Sequence, residues 1–129
     1  MKKILIIDDE EDLSFFVKAN LELVEGYEVT TATSGKEGIR VAAKYMPNII
    51  LLDIMMPGMD GYETLDKLKS SKKTMSIPVI MLTARADEES KVKAASAYNE
   101  DYLIKPVQID VLRAKIEEVL KRRNFEEDL

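Results

Sequence analysis

The chain contains no cysteine and no histidine. Without thiols there is no disulfide, no thiolate nucleophile and no zinc-thiolate centre. Without imidazole, the usual general base near neutral pH and the commonest transition-metal ligand are missing too, so chemistry falls to carboxylates, hydroxyls and lysines. Such oxygen donors suit Mg2+ or Ca2+. Glycine and proline are sparse, five and four among 129 residues, which argues against fibrous and disordered classes. Long apolar runs are lacking. Met1-Lys2-Lys3 precedes only four apolar residues before two aspartates, too few for a signal-peptide core or a membrane span, so a cytoplasmic protein without membrane contact is expected. A net charge of -5 offers no unopposed basic surface to displace counterions from phosphates, so no direct nucleic-acid binding is expected.

What is present is 46% apolar and 33% charged residues in a length that suits one domain, residues 1–129. Its core is expected over about residues 2–122, with 123–129 as a charged tail fraying from the last helix. Short apolar runs at Ile4 to Ile7, Tyr27 to Ala32, Ile49 to Leu52, Val79 to Leu82 and Tyr102 to Ile104 alternate with helical patterns, which reads as parallel α/β. The first, third and fourth are unbroken enough to be covered on both faces. Tyr27 to Ala32 is polar enough for an edge.

Leu13, Phe16, Val17, Leu21 and Val24 share a helical face that Gly26 is placed to end, and Ile39, Ala42, Ala43 and Met46 share another. Ser34 with Glu37, and Asp60 with Glu63, have capping-box spacing and mark the second and third helix starts. The helix over Asp87 to Ala97 has the poorest apolar face. Ile109, Leu112, Ile116, Val119 and Leu120 form the last stripe. Right-handed crossovers and acidic ends on strands one and three favour a doubly wound (βα)5 sheet in the order 2-1-3-4-5.

Ligands in this architecture bind beyond the carboxyl ends of the strands. Strand one is followed by Asp8 and Asp9, strand three by Asp53, strand four by Thr83 and strand five by Lys105-Pro106. Three carboxylates in one pocket repel one another unless a cation joins them. Mg2+, with octahedral oxygen ligation, fits two carboxylates, a backbone carbonyl and a phosphate oxygen, and Mn2+ could substitute. Lys105 supplies a charge for a phosphoryl oxygen, Thr83 a hydroxyl donor, and Ala84 a small neighbour that leaves the approach open. A carboxylate nucleophile forming an acyl phosphate completes the set. Singly, each piece has a plainer use: an Asp pair caps helices, and Thr83 or Lys105-Pro106 suits a turn. It is their conjunction at strand ends that points to a site.

The segments Ile4 to Glu10, Pro47 to Gly61, Pro78 to Ala84 and Asp101 to Pro106 resemble receiver domains of two-component response regulators, over essentially the whole chain. The resemblance implies a flavodoxin-like sandwich and Asp53 as acceptor of a phosphoryl group from a sensor histidine kinase or phosphotransfer protein. It implies Mg2+ on Asp9, Asp53 and the Met55 carbonyl, with Asp8 acting mostly through water. Lys105 would contact the phosphoryl group, Thr83 and Tyr102 would form the switch pair, and the Lys105-Pro106 bond would be cis. The altered surface would be the face of the fourth predicted helix, the fifth strand and the last helix, read by a downstream effector protein.

Two departures from the family pattern stand out. Tyr98-Asn99 replaces the usual Gly-Ala before Glu100-Asp101, and Val111 stands where dimerising regulators commonly carry Glu, which suits a monomer or a weak phosphorylation-dependent dimer. Met55 and Arg85 flank the site as tuning positions for acyl-phosphate lifetime. The expectation is a switch, as in chemotaxis-type single-domain receivers, a phosphorelay intermediate or a receiver cut from a longer regulator. The alternative is a Mg2+-dependent aspartyl-phosphate phosphohydrolase, but such enzymes need an acidic residue two positions after the nucleophile, where this chain has Met55. A flavin carrier of similar topology would need a phosphate-binding loop, which Asp8-Asp9-Glu10 would repel.

Overall fold

The computed structural model describes residues 1–83 and 101–128. Five parallel strands, β1 (Lys2–Ile7), β2 (Tyr27–Ala32), β3 (Ile49–Asp53), β4 (Val79–Thr83) and β5 (Asp101–Ile104), form one sheet in the order β2-β1-β3-β4-β5. The helices among the described residues are α1 (Glu11–Leu21), α2 (Gly35–Tyr45), α3 (Gly61–Lys69) and α4 (Ile109–Asp128). The helix expected over Asp87 to Ala97, together with Ala84, Arg85 and Tyr98 to Glu100, lies outside the described residues.

Strand alternation sorts the core into two layers. Leu5, Ile7, Ile50, Leu52, Val79 and Met81 meet Ala42, Leu65 and Leu68 of α2 and α3. Ile4, Ile6, Ile49, Leu51, Ile80 and Leu82 meet Leu21 of α1 and Leu112, Ile116 and Val119 of α4. Every residue of β3 and β4 is buried, which is why both read as unbroken aliphatic runs. β2 lies at one edge, where its polar positions find water.

The helix starts are capped where the sequence spacing placed them. Ser34 accepts from the Glu37 amide at 3.1 Å, and Asp60 from the Glu63 amide at 3.0 Å. Asp101, which opens β5, is ion-paired with Arg122 and Lys115 and so ties the edge strand to α4.

Four expectations require correction. α1 ends at Leu21; Gly26 comes after a further turn and holds φ +93 immediately before β2. Phe16, placed on the core face of α1, is 55% exposed, because Leu21 and Ser14 take the buried side of this short helix. Met46 is half exposed and sits in the left-handed region, where it terminates α2 rather than packing under it. The charged residues from 123 do not begin a frayed tail, since α4 runs to Asp128 on a sequence rich in good helix formers. Among the described residues no helix is long and apolar enough to cross a membrane.

Ile116 is fully buried between α4 and the sheet. Ile116→Ala should lower unfolding stability by about 2–5 kcal/mol, read from the urea midpoint at unchanged slope. An effect near zero would contradict the packing of α4 described here.

Candidate functional site

The register of the sheet assembles the site. Ile7 pairs with Leu52 between β1 and β3, so one step further along the strands sets Asp8 beside Asp53. Asp53 pairs with Leu82 across to β4, and Thr83 pairs with Ile104 of β5, which puts Lys105 next in line. The backbone carries the same ladder into the loops. The Asp8 amide donates to Ala32, the Ile54 amide to Leu82 and the Lys105 amide to Thr83. Four strand ends thereby converge on one crevice at the carboxyl edge, where the order of the strands reverses.

Within the crevice one oxygen from each of Asp8, Asp9 and Asp53 lies within 4.8 Å of the others. Asp8 and Asp53 are buried to 2% exposure, while Asp9 faces solvent. The Lys105 ammonium reaches both buried carboxylates, at 3.4 Å from Asp8 and 3.2 Å from Asp53. The Glu10 amide donates to the other oxygen of Asp8 at 2.9 Å and fixes its orientation.

This cation does not fully compensate two buried anions. Burial pushes the Asp53 carboxyl up and Asp8 beside it pushes further, while Lys105 and the Met55 amide offset only part of the shift, leaving it at about 6. Burial draws the Lys105 ammonium down, but Asp53 and Asp8 outweigh it and carry it above the ordinary lysine value. The crevice therefore has spare negative charge and hard oxygen donors, a set that fits Mg2+.

The remaining residues singled out from the sequence sit around this centre. Thr83 is fully buried at the end of β4. Tyr102 lies on edge strand β5, 37% exposed. The Met55 side chain is 61% exposed, and its backbone hydrogen-bonds the Asp53 carboxylate. The Lys105-Pro106 peptide bond is cis. Ala84 falls outside the described residues. Two contacts escaped the sequence reading, the Glu10 amide on Asp8 and the Met55 amide on Asp53, because backbone donors leave no trace in residue identity.

Fold and crevice together define a doubly wound α/β protein with an acidic site at its switch point and one lysine as built-in counterion. The chain belongs to the response regulator receiver domain family, whose model matches residues 4–117. It is a receiver of two-component phosphorelay signalling. A CheY-like receiver domain protein from Methanospirillum hungatei superposes with a TM-score of 0.87 at 35% identity, covering 98% of each chain. The chemotaxis protein CheY4 of Vibrio cholerae gives 0.83 at 30% identity over 92% of this chain and 98% of its own. Among curated relatives, the DNA-binding regulator RpaA of Synechocystis is 37% identical over 95% of this chain and 50% of its own length. PhoP of Bacillus subtilis, an alkaline phosphatase synthesis regulator, is 37% identical over 94% and 49%. The chain thus spans about half the length of the curated relatives it matches.

The raised Asp53 value predicts a pH dependence in metal-free protein. Between its unfolded value of about 4 and its folded value of about 6, the folded state binds the proton more tightly, so stability falls as pH rises through that window. Asp53→Asn cannot ionise. It should flatten that slope and raise stability near neutral pH by about 1–3 kcal/mol. Urea unfolding in EDTA across the window reads both effects, and a slope that persists in the variant would contradict the assignment.

Proposed function

We propose that Asp53 accepts the phosphoryl group of a phosphohistidine on a sensor histidine kinase or phosphotransfer protein, with Mg2+ held by Asp9, Asp53 and the Met55 carbonyl directly and by Asp8 mostly through bound water. The observation that carries this reading is the convergence of three carboxylates and Lys105 at one strand-end crevice. Bound there, the ion would neutralise charge on the incoming phosphoryl oxygens, which is the main demand of phosphoryl transfer.

The chain's own residues do the rest. An Asp53 carboxylate oxygen forms the new bond to phosphorus as the bond to the donor's imidazole breaks. Lys105, already beside Asp53, exchanges that partner for a phosphoryl oxygen, and Thr83 donates its hydroxyl to another. The Thr83 hydroxyl moving toward the phosphoryl group vacates space behind it, into which the Tyr102 ring turns from its half-exposed position on β5. Partner binding then changes on the face formed by the fourth predicted helix, β5 and α4.

In this reading the protein is a cytoplasmic switch whose output is binding to an effector protein, and its only chemistry is self-catalysed phosphorylation and dephosphorylation. Met55, two residues past the acceptor, supplies no acid or base for turnover as a phosphohydrolase.

Incubation with Mg2+ and acetyl phosphate, followed by intact-mass measurement, tests this. Wild type should gain one phosphoryl group, whereas Asp53→Ala, or wild type in EDTA, should gain none. Lys105→Ala should be slowed by about tenfold or more, as for the loss of one charge-stabilising donor. An equal adduct on Asp53→Ala would overturn the acceptor assignment. Sustained Asp53-dependent hydrolysis of a small phosphate ester would instead restore the phosphohydrolase.

A further inference from the structure

Gly61 is the first residue of α3, and glycine is a poor choice for a helix. Its backbone does not need the left-handed region; the glycines with positive φ are Gly26 and Gly58. Space is the reason. A Cβ at Gly61 would stand 2.5 Å from the Ile54 Cα, 2.6 Å from the Asp53 carbonyl oxygen and 3.2 Å from the Asp53 carbonyl carbon. All three are backbone atoms of the peptide that links Asp53 to Ile54, so none can swing aside as a side chain would.

That peptide and the one after it are each held by a hydrogen bond. The Ile54 amide donates to Leu82 at 3.1 Å, and the Gly61 amide donates back to the Ile54 carbonyl at 2.9 Å. The loop leaving β3 therefore returns onto its own start, with the beginning of α3 seated on the acceptor's main chain. The Asp53 carboxylate and the Met55 backbone are both hung from this short stretch.

We propose that Gly61 is a positioning residue of the metal and phosphoryl site: its missing side chain lets α3 seat against the Asp53–Ile54 peptide, which sets where the Asp53 carboxylate and Met55 carbonyl stand. This rests on the function proposed above. A Cβ at this place moves the ligand backbone itself, not merely the stability of the fold.

Gly35 provides the control. A Cβ there would meet Thr64 Oγ1 at 2.2 Å and the Met59 sulfur at 3.2 Å, so it presses on α3 and the residue before its cap through side chains, away from Asp53. Wild type, Gly61→Ala and Gly35→Ala are compared by calorimetric titration with Mg2+ alone and by the amide NMR signals of Asp53 and Ile54 in metal-free protein. Gly61→Ala should weaken Mg2+ binding by about tenfold or more, the range for residues that orient metal ligands. It should also displace both amide signals. Gly35→Ala should lose stability yet keep wild-type Mg2+ affinity and signals. If Gly61→Ala does not fold in buffer, all three proteins are compared in trimethylamine N-oxide, which favours the compact state of each.

Wild-type Mg2+ affinity in Gly61→Ala, or equal weakening in both variants, would overturn the role of Gly61 and leave the phosphorylation reading in place. A wild type that takes up neither Mg2+ nor a phosphoryl group would remove that reading and this proposal together.

Discussion

Burying carboxylates side by side is costly unless positive charge accompanies them, and much of this architecture follows from that constraint. Asp8 and Asp53 sit at the ends of two adjacent strands, each almost wholly removed from water. Lys105 is brought from the far edge strand to stand within 3.4 Å of both. One ammonium against two carboxylates, with Asp9 close by, leaves the balance negative. Burial first, and Asp8 beside it second, hold the Asp53 carboxyl near 6, and the spare negative charge makes the crevice receptive to a hard cation. The same lysine bridges both buried carboxylates and so couples β5 to β1 and β3 at the crevice.

Such a charged cluster needs a rigid frame. The sheet supplies it through continuous ladders that run from the core into the loops, so each acidic residue is fixed by the strand before it. Two apolar layers lock the strands from either side, and β3, which carries Asp53, is buried along its whole length. Beyond the strand, the chain is caught again where the start of α3 rests on the Asp53–Ile54 peptide. Stability is concentrated under the site, while edge strand β5 leaves Tyr102 and Ile104 partly in water.

Much of this was legible in the residues. Unbroken aliphatic runs located β3 and β4 because burial on both faces leaves no polar position to keep. The polar run at Tyr27 to Ala32 marked an edge, and Ser34 and Asp60 marked helix starts, because each of these signals has a local physical cause. Errors came where burial depends on neighbours far away in the chain. Phe16 lies at the right helical spacing for the core yet points largely to solvent, and Met46 ends a helix whose apolar face it seemed to extend. The charge of the stretch from residue 123 suggests a frayed tail, whereas α4 continues to Asp128.

By itself, the sequence determined the kind of chemistry available. With no thiol and no imidazole, only carboxylates, hydroxyls and lysines remained, and their positions after apolar runs tied them to strand ends. Tertiary structure alone decided how closely they meet. Asp8 and Lys105 are 97 residues apart, and their ion pair exists only because the parallel strands are ordered β2-β1-β3-β4-β5. The closeness of Gly61 to the Asp53–Ile54 peptide is likewise invisible in the chain, since a glycine records that space is needed but not which atoms need it. Residue identity specifies donors and charges, whereas distance, burial and the resulting shift at Asp53 are properties of the packed whole.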